Sequence, residues 1–515
     1  MTNRIYSNRI SEYTGENGGR VLLLFLLFIL SIYSLINSGF PNFAVICLSP
    51  ILVLAVYALF RWRMAAFWAL FIINFFLQMH DRIIPIPSGV PMSLWNEMIE
   101  IILLAIAIID IKECPHFERC LNLMLIALAI WCGFCTLQVL NDTCDMGLDI
   151  GAWYTGARLM AFQILYAFLV FSIYITTPQI LLNYLRLWAV LSLFSAFWTF
   201  KQKNIGFTPI ENSWLFYGPG STTHLLNGGT LIRYFSTFSD AANYGCNAAA
   251  SAVTFIIIGI TSKITLEKLF FLIIGICVIW GMFQSGTRTA IFCMASGFLV
   301  YVFLSKSFKI AVPFSIFFAL FMCFLIFTDI GNGNQQIRRM RSAFDKKDAS
   351  SNVRDVNKAS IKKYLRDAPW GLGIGSTQAN IPSNNKYRRL SDIPPDSEYV
   401  YIWVHTGIIG IIVFVITTAL MFIGACWITM FKLKSKSLIG IGGGLCSAFI
   451  AIQLGAYANQ ILMQFPNCLT FYGGLTIVYV LPYIEPLWIK HEQERLEKQE
   501  KRKLIKLEKK LAKRV

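Results

Sequence analysis

Charge is what this chain has least of. Only 14% of its 515 residues are Asp, Glu, Lys or Arg, while 56% are hydrophobic; a water-soluble domain carries about 25% charged residues. The charges that exist are gathered in two places. Residues 331–395 hold 13 Lys/Arg and 5 Asp, and residues 487–515 hold 11 Lys/Arg and 5 Glu. The rest is too apolar for a soluble fold, and the same figures exclude disorder and collagen-like repeats. Histidine is scarce as well: His80, His116 and His224 stand far apart without metal-ligand spacing, so no metal site is expected. No internal repeat is visible, which counts against transporter folds built from recognisable halves. Gly-rich phosphate cradles are also missing. Gly371-x-Gly373-x-Gly375 follows no strand, and the glycines of 440–444 open an apolar run, where small residues let helices approach closely.

Cysteine is present but carries no chemistry. Cys47, Cys277, Cys293, Cys323, Cys426 and Cys446 lie inside apolar runs and act as small hydrophobes. Trp131-Cys132-Gly133-Phe134-Cys135 imitates a thiol redox motif, yet its apolar setting disfavours the thiolate that such chemistry needs. The net charge of +17 resides in one loop and the tail. Without a folded basic domain it argues against nucleic acid and for anionic lipid or phosphate-bearing ligands.

A membrane span needs about 20 mostly apolar residues. Fourteen runs qualify, near 21–37, 43–60, 64–79, 95–111, 121–139, 152–175, 183–200, 241–260, 269–284, 289–304, 310–328, 399–430, 438–457 and 468–484. Several are short, so the expectation is an all-α polytopic membrane protein of about 12–14 transmembrane helices. No small-residue cleavage site closes the first run, which predicts a retained helix. With the N-terminus inside, the inner loops hold twelve Lys/Arg and the short outer loops only Arg82 and Arg288. Both termini are therefore expected in the cytoplasm. The predicted layout is a cytoplasmic segment 1–20, a bundle over 21–328 with an outer loop at 201–240, a large external loop at 329–397, three last helices over 398–485, and a basic tail 486–515. In the external loop, Lys358–Leu365 predicts a short amphipathic helix, ended by Pro369 and Gly371. In the tail Leu496, Leu504, Leu507 and Leu511 share one face. That pattern fits an amphipathic helix on anionic lipid of the inner leaflet, or a solvated charged tail.

Ionisable groups at membrane depth are costly and mark pathways or sites. On the outer side these are Arg158, Arg233, Arg288, and Asp240 with the polar Asn243 beside it. If the long loop folds back as a lid, Arg354, Asp396, Glu398 and His405 join them. Each alone could be a snorkelling arginine or a satisfied polar side chain. Together, arginines that grip phosphate bidentately beside a carboxylate suit transfer from a lipid-linked pyrophosphate. Hydropathy patterning alone leaves an anion transporter equally open.

At these residues the sequence resembles the O-antigen ligase and Wzy-type polymerase superfamily of bacterial envelope glycosyltransferases. Four segments carry the likeness in order: RYFSTFSDAANYG (233–245), SGTRTA (285–290), NVRDVNKASIKKYLRDAPWGLGIGS (352–376) and DSEYVYIWVHTGIIG (396–410). The resemblance covers about 233–485. It implies a periplasm-facing enzyme of the bacterial inner membrane that transfers undecaprenyl-pyrophosphate-linked glycan to an acceptor glycan, with inversion and with no metal or other cofactor. A chain-length regulator is a further implied partner. Carried over by position, Arg233 and Arg288 would bind the pyrophosphate and Arg354 would assist from the lid. The family's ligases carry His-Asn where this chain has Asp396-Ser397; an acid there is the pattern of polymerase-like members. Asp396 or Glu398 is then the expected base, with His405 a further option. Ligation to lipid A core or protein is one alternative, and a flippase or exporter of the same lipid-linked oligosaccharide is another.

Overall fold

The computed structural model describes residues 18–38, 46, 50, 53–54, 57–82, 93–110, 116–226, 229, 231–306, 308–333, 335–341 and 349–511. The run expected at 43–60 lies largely outside them. The chain divides into two units, residues 1–68 and 69–515. The first contains α1 (Gly18–Ser38) and the start of α2 (Arg63–Phe76). The second contains α3 (Ser93–Ile109), α4 (Leu123–Leu137), α5 (Ile150–Tyr174), α6 (Pro178–Asn204), α7 (Pro209–Phe216), and a two-residue antiparallel hairpin of β1 (Leu225–Leu226) and β2 (Leu231–Ile232). There follow α8 (Ala241–Thr261), α9 (Thr265–Gln284), α10 (Arg288–Ser305), α11 (Phe308–Phe327), α12 (Gln335–Arg341), α13 (Ala349–Leu365), α14 (Glu398–Trp427), α15 (Lys436–Ala458) and α16 (Gly473–Leu511).

Among the described residues nine helices are long and apolar enough to cross a membrane. They coincide with nine of the expected runs, and α1, α2, α3 and α11 fall on four more. The protein is an all-α multi-pass membrane protein. Its centre is α8, buried along almost its whole length and packed against α9, α10 and α15. Inside a bilayer the hydrophobic effect does not draw helices together, so close backbone approach and polar bonds must. The small residues of AANYGCNAAASAV in α8 and of GIGGGL in α15 supply that approach. Polar bonds tie α8 to α6 and to the 459–467 turn: Asn247 Nδ2 donates to Asn467 Oδ1 at 2.7 Å, Ser251 Oγ to Asn247 Oδ1 at 3.2 Å, and Trp188 Nε1 to Ser251 Oγ at 3.2 Å.

Both of the long segments expected outside have small cores of their own. Residues 201–240 pack Leu215, Phe235 and Ala241 with Trp214 and Phe207, and a capping box between Thr208 and Glu211 starts α7. Burial would raise the Glu211 carboxyl, but hydrogen bonds from Thr208, Gln202 and Trp198 and the charge of Lys201 outweigh it and hold it below the usual range. The 349–393 segment packs Ile361, Leu365, Leu372, Ile381, Tyr387 and Leu390 against Cys144 and Val404. The helix expected at 358–365 begins earlier, at Ala349.

The tail differs from expectation in its start. No break separates a span from a tail near 486; α16 continues through Pro482 and Pro486 to Leu511. Its continuation is held by an ionic network at the end of the bundle away from α14's first turn. Arg186 and Arg495 both reach Glu267, at 2.5 and 2.7 Å, Lys263 pairs with Glu492 at 2.8 Å, and Gln499 bonds the backbone of Thr265. The tail residues and their partners are more than 200 residues apart along the chain, so the tail's own periodicity could not show them.

Candidate functional site

The helix α8 begins at Asp240, whose Oδ1 accepts from Ala242 N and Asn243 N at 2.7 and 2.9 Å. Asp240 is thus the N-cap that stops the preceding loop and starts the central helix. One further amide, Ala241 N, is held from outside the helix: it donates to His224 Nε2 at 3.1 Å. A backbone N–H can only donate, so Nε2 is the bare nitrogen and Nδ1 carries the proton, facing Gly220 O at 3.2 Å. The same turn orders Arg233. Its backbone N donates to His224 O at 2.9 Å, and its Nη1 to Thr223 O at 3.2 Å. Replacing His224 by Phe should leave Ala241 N unsatisfied in a buried place, at a cost of about 1–3 kcal/mol, whereas His224→Gln keeps an acceptor. Thermal unfolding should rank wild type and Gln above Phe; a Phe variant as stable as wild type would remove His224 from this role.

Arg233 then reaches the start of the next helix pair. Its Nη2 donates to Thr287 Oγ1 at 3.1 Å, and Thr287 Oγ1 donates on to Ala241 O at 2.7 Å. The Thr287 hydroxyl makes no cap on α10, which starts at Arg288 with no side-chain cap at its N-terminus. The first amides of α10 therefore remain a locus of partial positive charge. Arg233 Nε is buried and has no hydrogen-bond partner among the described residues. Burial pulls the Arg233 guanidinium down from the usual arginine range, Asp240 pushes it back up, and the charges of Arg288 and Arg354 add to the lowering. Two guanidiniums and one carboxylate from three separate segments thus act on Arg233.

Arg354 comes from α13. With Asn357 and Asp396 it lines a cavity of about 520 Å³ whose wall also carries Tyr399, Trp403 and Tyr457. Asn357 Nδ2 donates to Asp396 Oδ2 at 3.2 Å, which fixes the carboxylate at the mouth of α14. The 369–373 stretch is pinned to α14 by backbone pairing at a break in that helix. Gly407 has φ +69° and interrupts the helical bonding, which frees Val404 O to accept from Leu372 N at 2.9 Å and His405 O to accept from Gly373 N at 3.0 Å. A Cβ on Gly407 would lie 2.0 Å from Pro369 O, and one on Gly371 2.3 Å from Gly407 N. Only glycine at both positions lets the two backbones meet.

The other expected residues hold structural contacts. The Glu398 carboxylate is buried and accepts from Leu462 N at 2.9 Å, so it anchors the turn between α15 and α16. His405 is not among the cavity's lining residues, and its Nδ1 lies 3.2 Å from both Gly373 O and Ser376 Oγ. Asn243 bonds Gln464 Oε1 at 2.9 Å and Phe465 O at 3.2 Å through Nδ2, and accepts from Asn467 Nδ2 at 2.6 Å. Arg158 stands apart from the other arginines in its contacts. It pairs with Glu97 at 3.3 Å and donates to Ser93 Oγ at 2.8 Å, in a π-helical turn of α5.

Four residues that hold this arrangement were not singled out from sequence. Gln464 and Asn467 lie in the 459–467 turn, and Ser239 Oγ also donates to Gln464 Oε1; the polar string NQILMQFPN between two apolar runs was the available signal. Asn357 faces Asp396 from the expected lid helix. Glu97, a carboxylate inside the apolar run 95–111, was visible as an oddity.

No curated protein matches the chain. Residues 270–415 match the family model Wzy_C, described as O-antigen ligase. That stretch contains three of the four segments drawn together here, 285–290, 352–376 and 396–410, and the fourth, with Arg233, precedes it. Over residues 270–415 the chain is therefore similar to the O-antigen ligase family.

Proposed function

We propose that the protein joins lipid-linked glycan repeat units at the periplasmic face of the bacterial inner membrane, with an undecaprenyl-pyrophosphate-linked glycan as donor. The observations that carry this reading are that Arg233 bonds Thr287, beside Arg288 at the uncapped N-terminus of α10, that it feels the charges of Arg288 and Arg354, and that Arg354 lines a cavity together with Asp396. A diphosphate leaving a sugar develops negative charge on its bridging oxygen. Guanidinium forks and helix N–H groups already in position stabilise that charge without reorganising. The hydroxyl oxygen of the acceptor sugar attacks the donor's anomeric carbon from the face opposite the diphosphate. The carbon–oxygen bond to the diphosphate breaks with its electron pair going to the leaving group, and the hydroxyl proton passes to the Asp396 carboxylate. Attack from the opposite face inverts the configuration.

Among the three expected bases, Asp396 suits this step because it lines the cavity, while Glu398 and His405 are committed to backbone and turn contacts. An acid at this position supports polymerisation over ligation to lipid A core. Purified protein given a labelled lipid-linked repeat should produce a ladder of extended products. Transfer only to an added lipid core would make it a ligase, and movement across vesicles without extension would make it a carrier.

A further inference from the structure

The transfer chemistry leaves one group of arginines unused. Helix α12 has seven residues, QQIRRMR, and three of them are arginines. Two of the three hold α12 against the chain that leaves α11. Arg338 Nη1 donates to Asn332 O at 2.7 Å, and Arg341 Nη2 donates to Ile330 O at 2.8 Å and to Thr328 Oγ1 at 3.3 Å. Between them in sequence, Met340 is buried with Ile291 of α10 and Leu325 of α11. The short helix is therefore fixed both to α10 and to the exit of α11.

The third arginine of the group bonds the α9–α10 turn. Arg339 is half-buried, and its Nε donates to Gly286 O. Gly286 is buried, has φ +58°, and closes α9 in the left-handed conformation, two residues before Arg288. A cation at the carbonyl end of a helix is favourable in itself. The consequence for the turn is larger. Segment 233–234 holds the turn at two points: Tyr234 N donates to Gln284 O at 3.4 Å, and Arg233 Nη2 to Thr287 Oγ1 at 3.1 Å. Gly286 lies between those points, and glycine is the residue whose backbone is least restricted. Arg339 fixes the carbonyl of that one permissive residue from a separately anchored helix. A rotation at Gly286 would otherwise be passed on to the first turn of α10, where Arg288 stands.

We infer that Arg339 is a positioning residue for the transfer reaction: by holding the Gly286 carbonyl it fixes the turn from which Arg288 reaches the donor diphosphate. This rests on the role proposed for Arg288. A contact that only capped α9 would change stability and leave the rate per folded molecule as it was; a positioning contact changes the rate through Arg288. The test is a double-mutant cycle on the purified full-length protein, with kcat and donor KM read from extension of a labelled lipid-linked repeat and folding followed by thermal unfolding. Arg339→Met removes the donor at similar length. It should lower kcat roughly ten- to hundredfold, the order expected when a catalytic group is slightly misplaced, with donor KM little changed. Arg339→Lys keeps a cationic donor without its planar direction and should lose only several-fold. The double variant Arg288→Lys/Arg339→Met should be no slower than Arg288→Lys alone, because residues acting as one unit do not add their losses. Wild-type kcat in Arg339→Met, or losses that multiply in the double variant, would overturn the inference. Should Arg339→Met fail to fold, Arg339→Lys takes its place in the cycle, and its several-fold loss should vanish in the Arg288→Lys background; a full-rate Arg339→Lys, or a loss that persists there, would overturn the inference equally. A wild type that transfers no glycan would overturn the proposed function, whereas an active wild type insensitive to change at Arg339 overturns this inference alone.

Discussion

Replacing Arg288 by Lys is expected to lower transfer about 10²-fold or more while leaving folded yield near wild type. The magnitude is that of losing one preorganised donor to a developing anion. Lysine keeps the charge but not the planar fork that binds phosphate through two parallel hydrogen bonds. Arg288 opens α10, directly after the Thr287 that bonds Arg233 and Ala241. The local fold rests on those threonine bonds and on Ser285, whose hydroxyl donates to Met282 O and accepts from Thr287 N. The loss should therefore appear in kcat, with monodisperse protein still recovered by size exclusion. An Arg288→Lys enzyme with wild-type kcat would place the diphosphate elsewhere.

Asp396→Asn should reduce turnover by about 10²- to 10⁴-fold, the usual contribution of a positioned base, with donor KM little changed. Asparagine is nearly isosteric and can still accept from Asn357, so the cavity wall should survive. The contrast with Glu398→Gln is informative. That substitution weakens an acceptor for the buried Leu462 N–H, so its main effect should be on thermal stability. If Asp396→Asn turned over normally and Glu398→Gln alone abolished turnover at unchanged stability, the base would be reassigned to Glu398.

Much of the fold was legible because a bilayer imposes a length and a composition that a linear string displays directly; nine spanning helices fall on runs visible as apolar stretches. Arg233 and Arg288 stood out because a charge beside apolar runs is visible without any knowledge of its neighbours, whereas Arg354 lies in the charged 331–395 segment and entered only through the expected folding-back of that loop. What sequence could not show is pairing. Arg158 looks like Arg233 in sequence, yet Glu97, 61 residues earlier, takes its charge. Glu398 and Asp396 are two residues apart, yet one is a buried anchor and the other lines the cavity, a difference their spacing alone does not display. Gln464 and Asn467 escaped notice because neutral amides carry little weight in a charge-based reading, although they bond the start of α8 to the α15–α16 turn. The tail escaped for a related reason: Leu496, Leu504 and Leu507 suggested a face for lipid, whereas Glu492 and Arg495 hold it to Lys263 and Glu267.

The central claim is that the grouped guanidiniums hold a diphosphate. Direct binding of undecaprenyl pyrophosphate and undecaprenyl monophosphate to the purified protein, measured side by side with Arg233→Gln and Arg288→Gln variants, addresses it without requiring turnover. The account predicts that wild type binds the diphosphate more tightly than the monophosphate and that each variant loses most of that difference. Equal affinity for the two lipids, or a preference for the diphosphate that persists in both variants, would contradict it.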